Sequence, residues 1–197
     1  MKQAVFLSAS VPDPVRTPQY ADSDPMAIRD AVVGLAMETS CREIPLIYGG
    51  HPSITVFLAR WAERTGRVDH VILYQSRYYE ESFLPEIRTI SCLKLVDWVD
   101  GGEKANLTHF RHSMVSENDI MLGVFMGGMV GLQEELDILR QHHPKAVVMP
   151  LMHLGGQTRD LFSNEPLAAV IQEANVANVS PGGRFAHVLD KMSFGTR

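Results

Sequence analysis

The stretch MLGVFMGGMVGLQEEL, residues 121–136, carries an apolar run into Gly127 and Gly128, past Met129 and Gly131, and onto Glu134 and Glu135. Glycine lets a backbone turn tightly and approach a ligand closely. A helix that begins there offers unpaired N–H groups and a positive dipole end, both of which favour an anion. Gly127, Gly128 and Met129 are therefore candidates to present amides to a phosphate. Glu134 is placed to hold ribose hydroxyls or to protonate a leaving base. Acids in a first helical turn are also stabilised by the dipole with no ligand at all, so the pair has a purely structural reading as well.

Three other segments share the pattern of small or glycine residues after an apolar run. YGGHPS (48–53) supplies Gly49, Gly50 and the potential donor His51. SASVPDP (8–14) supplies the hydroxyls of Ser8 and Ser10, and HLGGQT (153–158) is the fourth. Arg29, near the start of a helical stretch, can pair with a phosphate. Tyr48 and Tyr74 close apolar runs, where an aromatic ring either stacks on a base or packs in the core. HFRHSM (109–114) sets two histidines around Arg111. The chain lacks G-x-G-x-x-G, a Walker A lysine and a G-x-S-x-G elbow, and its Cys, His and Asp spacing matches no strong metal site. The sequence thus predicts neither a resident cofactor nor a metal.

The elements that would position these residues alternate regularly. Strands are predicted at 4–10, 44–50, 68–75, 88–98, 119–128 and 145–152, and helices at 24–41, 52–66, 102–118 and 132–143. Asp24 is the predicted N-cap of the first helix, with Pro25 as its first residue. Short apolar strands separated by helices imply βαβ units and a mostly parallel sheet with both faces covered. The expected fold is α/β, a Rossmann-like three-layer sandwich, with residues 1–197 forming one domain. In such a sheet ligands bind beyond the carboxyl ends of the strands, where all four loops fall.

Composition narrows the partners. A net charge of -5 argues against nucleic acid, whose phosphates are usually met by a basic excess. With 45% hydrophobic and 21% charged residues the chain reads as globular, and no 18-residue apolar run is present to span a membrane. Cys41 and Cys92 have no redox or metal spacing and read as reduced thiols of a cytoplasmic protein.

FLSASVPDP, YGGHPSI and VFMGGMVGLQEEL, in that order, resemble the SLOG superfamily, the Rossmann-like domains of the Smf/DprA and LOG proteins. The opening LSAS and the YGGHP loop look most like the SLOG domains of bacterial defence systems. That resemblance implies a nucleotide-sensing domain for a ligand derived from NAD, such as ADP-ribose or a cyclic ADP-ribose, acting on a fused or separate effector and assembling as a homo-oligomer. It implies contacts from Ser8, Ser10 and Arg29 on one side and from Gly49, Gly50 and His51 on the other. The alternative it implies is an enzyme, a LOG-like hydrolase of nucleoside 5′-monophosphates. LOG enzymes use P-G-G-x-G-T-x-x-E and an upstream arginine. Counted along this chain, the leading glycines fall on Gly127 and Gly128 and the glutamate on Glu134. Met126, Val130 and Gly131 then replace the proline, third glycine and threonine. The arginine position falls on Phe110, one residue before Arg111, so the catalytic candidates are Glu134 with Arg111.

Overall fold

The six apolar segments form β1 (Gln3–Ser10), β2 (Leu46–Tyr48), β3 (Val71–Ser76), β4 (Cys92–Val96), β5 (Asp119–Gly127) and β6 (Val147–Pro150). The computed structural model describes residues 2–176 and 180–192. Every strand pair is parallel, and the sheet order is β4-β3-β2-β1-β5-β6. The chain thus builds outward from β1 in one direction, then returns to place β5 on its other side. β1 is buried from Ala4 to Ser10 and pairs with β5 along its whole length.

Side-chain alternation along the strands splits the core into two layers. Val5, Leu7, Leu46, Leu73 and Val124 face the helices α1 (Pro25–Cys41) and α2 (Pro52–Thr65). Ala4, Phe6, Ile47, Tyr74 and Phe125 face α3 (Gly102–Ser116) and α4 (Gly131–His142). Phe6 and Phe125 meet edge to face at 6.1 Å between ring centroids, a favourable quadrupole arrangement. The fold is the expected Rossmann-like sandwich. The helix signals work locally as the sequence suggests. Asp24 Oδ1 accepts from the amides of Met26 and Ala27 at 2.9 and 3.0 Å, and Gly66 ends α2 in the left-handed region.

Three departures from the sequence reading matter for the site. β2 keeps only three of the seven predicted residues, which frees Gly49 and Gly50 to form a loop. Residues 77–82 and 85–89 form short 3-10 turns, the second opened by Pro85, so β4 begins only at Cys92. Beyond residue 152 three short helices follow: α5 (Gly156–Phe162), α6 (Ala169–Val176) and α7 (Pro181–Lys191). α7 packs on α1, where the Gly182 backbone approaches Gly34. Among the described residues no helix is long and apolar enough to cross a membrane.

Tyr74 lies in the layer between the sheet and α3. Its hydroxyl accepts from Lys94 Nζ at 2.8 Å and Asn118 Nδ2 at 2.9 Å, and donates to Glu117 Oε2 at 3.1 Å. One phenol thereby joins β3, β4 and the turn into β5. Removing the hydroxyl leaves Asn118, itself buried, short of a partner. Tyr74→Phe is expected to cost about 1–3 kcal/mol in denaturant unfolding, with unchanged secondary structure by circular dichroism.

Candidate functional site

A cavity of about 950 Å³ opens at the carboxyl edge of the sheet, lined by the ends of β1, β2 and β3 and by the β5–α4 turn. It lies at the point where strand order reverses, between β1 and β5, the usual ligand crevice of a doubly wound sheet.

The β5–α4 turn makes one wall. Gly127 and Gly128 have φ of 61° and 84°, a region L side chains avoid. A Cβ on Gly127 would stand 2.5 Å from the Ser10 carbonyl oxygen. The same carbonyl accepts from Gly128 N at 2.9 Å, which ties the turn to the end of β1. From behind, the Gln157 amide donates to Gly128 O at 3.1 Å and Gly156 packs on the Gly127 backbone. The HLGGQT loop therefore supports the turn and does not line the cavity. α4 starts with no side-chain cap, whereas the His51 side chain caps α2. The uncapped first turn of α4 is thus available to an anion.

The two glutamates of α4 part company. Glu135 faces the cavity: Ser8 Oγ donates to its Oε2 at 2.6 Å, and Arg111 Nε lies 3.6 Å from its Oε1. Glu134, the sequence's choice, turns away toward α3, where it accepts from Thr108 Oγ1 and Arg111 Nη1. The reason is helical phase, since one residue rotates a side chain by roughly 100°. Glu134 is better placed to position Arg111 than to touch a ligand. Arg111 itself lines the cavity with its side chain 13% exposed. A Cβ on Gly131 would overlap its guanidinium. Gly131 is thus the residue that lets an arginine lie across the start of α4. Burial raises the pKa of Glu135, while the Ser8 hydrogen bond and the Arg111 charge oppose that rise.

On the opposite wall Gly49, Gly50 and His51 line the cavity as the sequence suggested. His51 Nδ1 accepts from Ser53 N at 3.3 Å, and burial, then the nearby Arg16 charge, lowers its pKa. Tyr48 is buried, and its hydroxyl donates to His51 O at 3.1 Å, holding the loop. Ser10 and Met129 line the cavity too. Four candidates stand off its wall: Glu134, Tyr74, Gly127 and Arg29. Gly127 lies behind the turn it enables. The Arg29 guanidinium stacks on Phe57, 4.5 Å from the ring centroid. Arg16, Gln75, Tyr79 and Phe83 also line the cavity, though no motif in the sequence marks them, and so does Phe110 of the HFRHSM stretch. They come from the 11–17 and 77–84 segments, from the end of β3 and from the α3 face, and only tertiary folding brings them together.

The profile of the SLOG cluster3 family matches residues 19–180. The chain belongs to the SLOG cluster3 family. Solved structures agree on the fold: the X-ray structure of TM1055, a structural genomics target, matches with a TM-score of 0.53 and 18% identity over 83% of this chain and 81% of that one. A comparison with curated proteins returns no match. Within the SLOG frame, the geometry changes the motif register. Moving it one residue later sets the motif glutamate on Glu135 and the upstream arginine on Arg111, the pair that meets at 3.6 Å. Gly128 and Gly131 then take the first and third glycine positions, with Met129 between them in place of the second. The threonine position falls on Leu132, which is buried in the α3–α4 core.

A carboxyl whose pKa is raised by folding adds stability below its ordinary range and loses it as pH climbs through the raised value. The stability difference, Glu135→Gln minus wild type, is therefore expected to grow more favourable to the variant from acidic toward neutral pH. Denaturant unfolding at a series of pH values measures it. A difference that is flat with pH would show that burial does not govern this carboxyl.

Proposed function

We propose that this SLOG domain binds a nucleotide derived from NAD, of the ADP-ribose or cyclic ADP-ribose type, as a sensor in a bacterial defence or signalling system. The observation that carries the reading is the reach of the cavity. It runs from the α4 turn beside β5, past β1 and β2, to Gln75 at the end of β3. Three strand spacings of about 4.8 Å make roughly 14 Å, a span that suits two linked nucleotide moieties better than one. A volume of about 950 Å³ stands at the upper end of ordinary ligand pockets. In this reading a phosphate sits at the uncapped start of α4 beside Arg111, and ribose hydroxyls meet Ser8, Ser10 and His51. The apolar side chains Phe83, Leu84 and Phe110 receive a base. Binding is passed to a fused or separate effector, and the domain assembles as a homo-oligomer, as the family resemblance implies.

A second reading, hydrolysis of a nucleoside 5′-monophosphate, has its own support in the Arg111–Glu135 pair. A carboxyl with raised pKa beside a cavity can protonate a departing base while an arginine holds the phosphate. Against it stand Met129 and Leu132 at two motif positions, and a Glu135 already engaged by Ser8 and Arg111.

Thermal unfolding with ADP-ribose, cyclic ADP-ribose, NAD and AMP, with product analysis of each mixture, separates the readings. A ligand at a hundred times its Kd stabilises by about 2.7 kcal/mol, or roughly 5–10 °C for a domain of this size. The sensor reading expects that shift with the ADP-ribose type, less with AMP, and no base release. Release of base from AMP that disappears in Glu135→Gln would make the hydrolase the correct reading. No shift with any of the four would sink both. Gly131→Ala adds a structural check: it is expected to fold normally but to weaken binding at least tenfold by displacing Arg111.

A further inference from the structure

The end of the cavity above β3 is built differently from the phosphate end. Gln75 lines it, and its Nε2 donates to the Gly50 carbonyl at 3.1 Å. A carbonyl oxygen only accepts, so this contact fixes the orientation of the amide: Nε2 on Gly50, Oε1 on the other side. Gly50, with φ of 72°, is also the residue that makes room for it. A Cβ there would overlap the Gln75 amide. Oε1 has no hydrogen-bonding partner among the described residues. Two neighbouring polar groups already have partners. The Tyr79 hydroxyl donates to Glu103 at 3.0 Å, and Ser76 Oγ accepts from Tyr78 N at 3.3 Å. Phe83 and Leu84 supply apolar surface beside them.

We infer that Gln75 reads the base: its Oε1 accepts from an exocyclic amino group, so the cavity takes adenine and discriminates against hypoxanthine. The inference rests on the nucleotide reading above and specifies the base. A keto oxygen in the amino position sets acceptor against acceptor. Rotating the amide to present Nε2 instead would break the bond to Gly50 and bring two carbonyl oxygens together. Without that rotation a keto base could be met only by the second Nε2–H, which would require the base to shift along the amide edge, and a pocket built to pair a polar group disfavours an analogue that cannot supply it in place.

Titration calorimetry with ADP-ribose, its hypoxanthine counterpart inosine diphosphate ribose, and ribose 5-phosphate tests this. The expected result is about tenfold tighter binding of ADP-ribose than of the inosine compound. In Gln75→Leu the two should bind within about twofold of each other, with ribose 5-phosphate unaffected. Gln75→Met, closer in length, serves the same comparison if the leucine variant does not fold. Equal binding of both nucleotides by the wild type would overturn the role of Gln75 and leave the nucleotide reading standing. Binding of neither would overturn both. A preference that survives in both Gln75 variants would assign base selection to another residue.

Discussion

The hydrogen bond from Gly128 N to the Ser10 carbonyl is the constraint on which the rest of the site depends. It joins the carboxyl ends of β1 and β5, the two strands between which the sheet reverses direction. Gly127 and Gly128 both need free access to positive φ, and Gly127 must also lack a Cβ to stand against Ser10 O. The turn they make sets where α4 begins. The start of α4 in turn sets which of its side chains looks over β1. Ser8 meets Glu135 because of that phase, and Gly131 comes under Arg111 for the same reason.

Arg111 is shared between two carboxylates with different work to do. Glu134, itself held by the Thr108 hydroxyl, accepts from the guanidinium on one side, while Glu135 approaches it from the cavity. A partly buried ion pair of this kind adds little net stability, because desolvation offsets attraction. What it does supply is position: an arginine fixed at a cavity wall costs less entropy to organise around a ligand than a free one. The arrangement also carries a cost for an anion, which must share Arg111 with Glu135. Protonation of Glu135, favoured by its burial, removes that competition and at the same time leaves a proton donor facing the ligand. The binding and hydrolytic readings thus differ over the fate of one proton on one carboxyl, with the scaffold common to both.

Much of this was legible in the sequence because it is periodic. Apolar runs of strand length alternate with helical stretches, and the glycine pairs at 49–50 and 127–128 mark the turns at which strands end. Asp24 and Gly66 carry conventional cap chemistry and bound their helices as expected. Glu134 and the cavity part company where such chemistry is lacking. Val130 precedes α4 with no capping side chain, so nothing in the sequence fixes the helical phase, and counting from the glycines lands one residue early. Arg29 and Tyr74 stand off the cavity for another reason. Both are residue types suited to ligands, but Phe57 and the Lys94–Glu117–Asn118 group claim them, and those partners lie 20 or more positions away in the chain. The α5–α7 segment escaped because its helices are short, and because the Gly155–Gly156 start of α5 and the Pro181–Gly182–Gly183 start of α7 read as turns.

The electrostatics of the cavity point to recognition by oriented dipoles more than by net charge. Arg111 is largely neutralised by its two glutamates. His51 is held toward its neutral form, because burial and then the Arg16 charge lower its pKa. Its Nδ1 meets the Ser53 hydroxyl at 2.9 Å and the Ser53 amide at 3.3 Å, while Nε2 has no partner among the described residues and is left to a ligand. The remaining donors are the amides at the start of α4 and the hydroxyl of Ser10. Such groups are fixed by the fold before a ligand arrives, whereas a cluster of free lysines would first have to be ordered. They also discriminate by direction, which a point charge does not. A chain with a net charge of -5 can therefore hold a phosphate-bearing ligand without a basic patch, provided the turn at Gly127–Gly128 keeps α4 aimed at it.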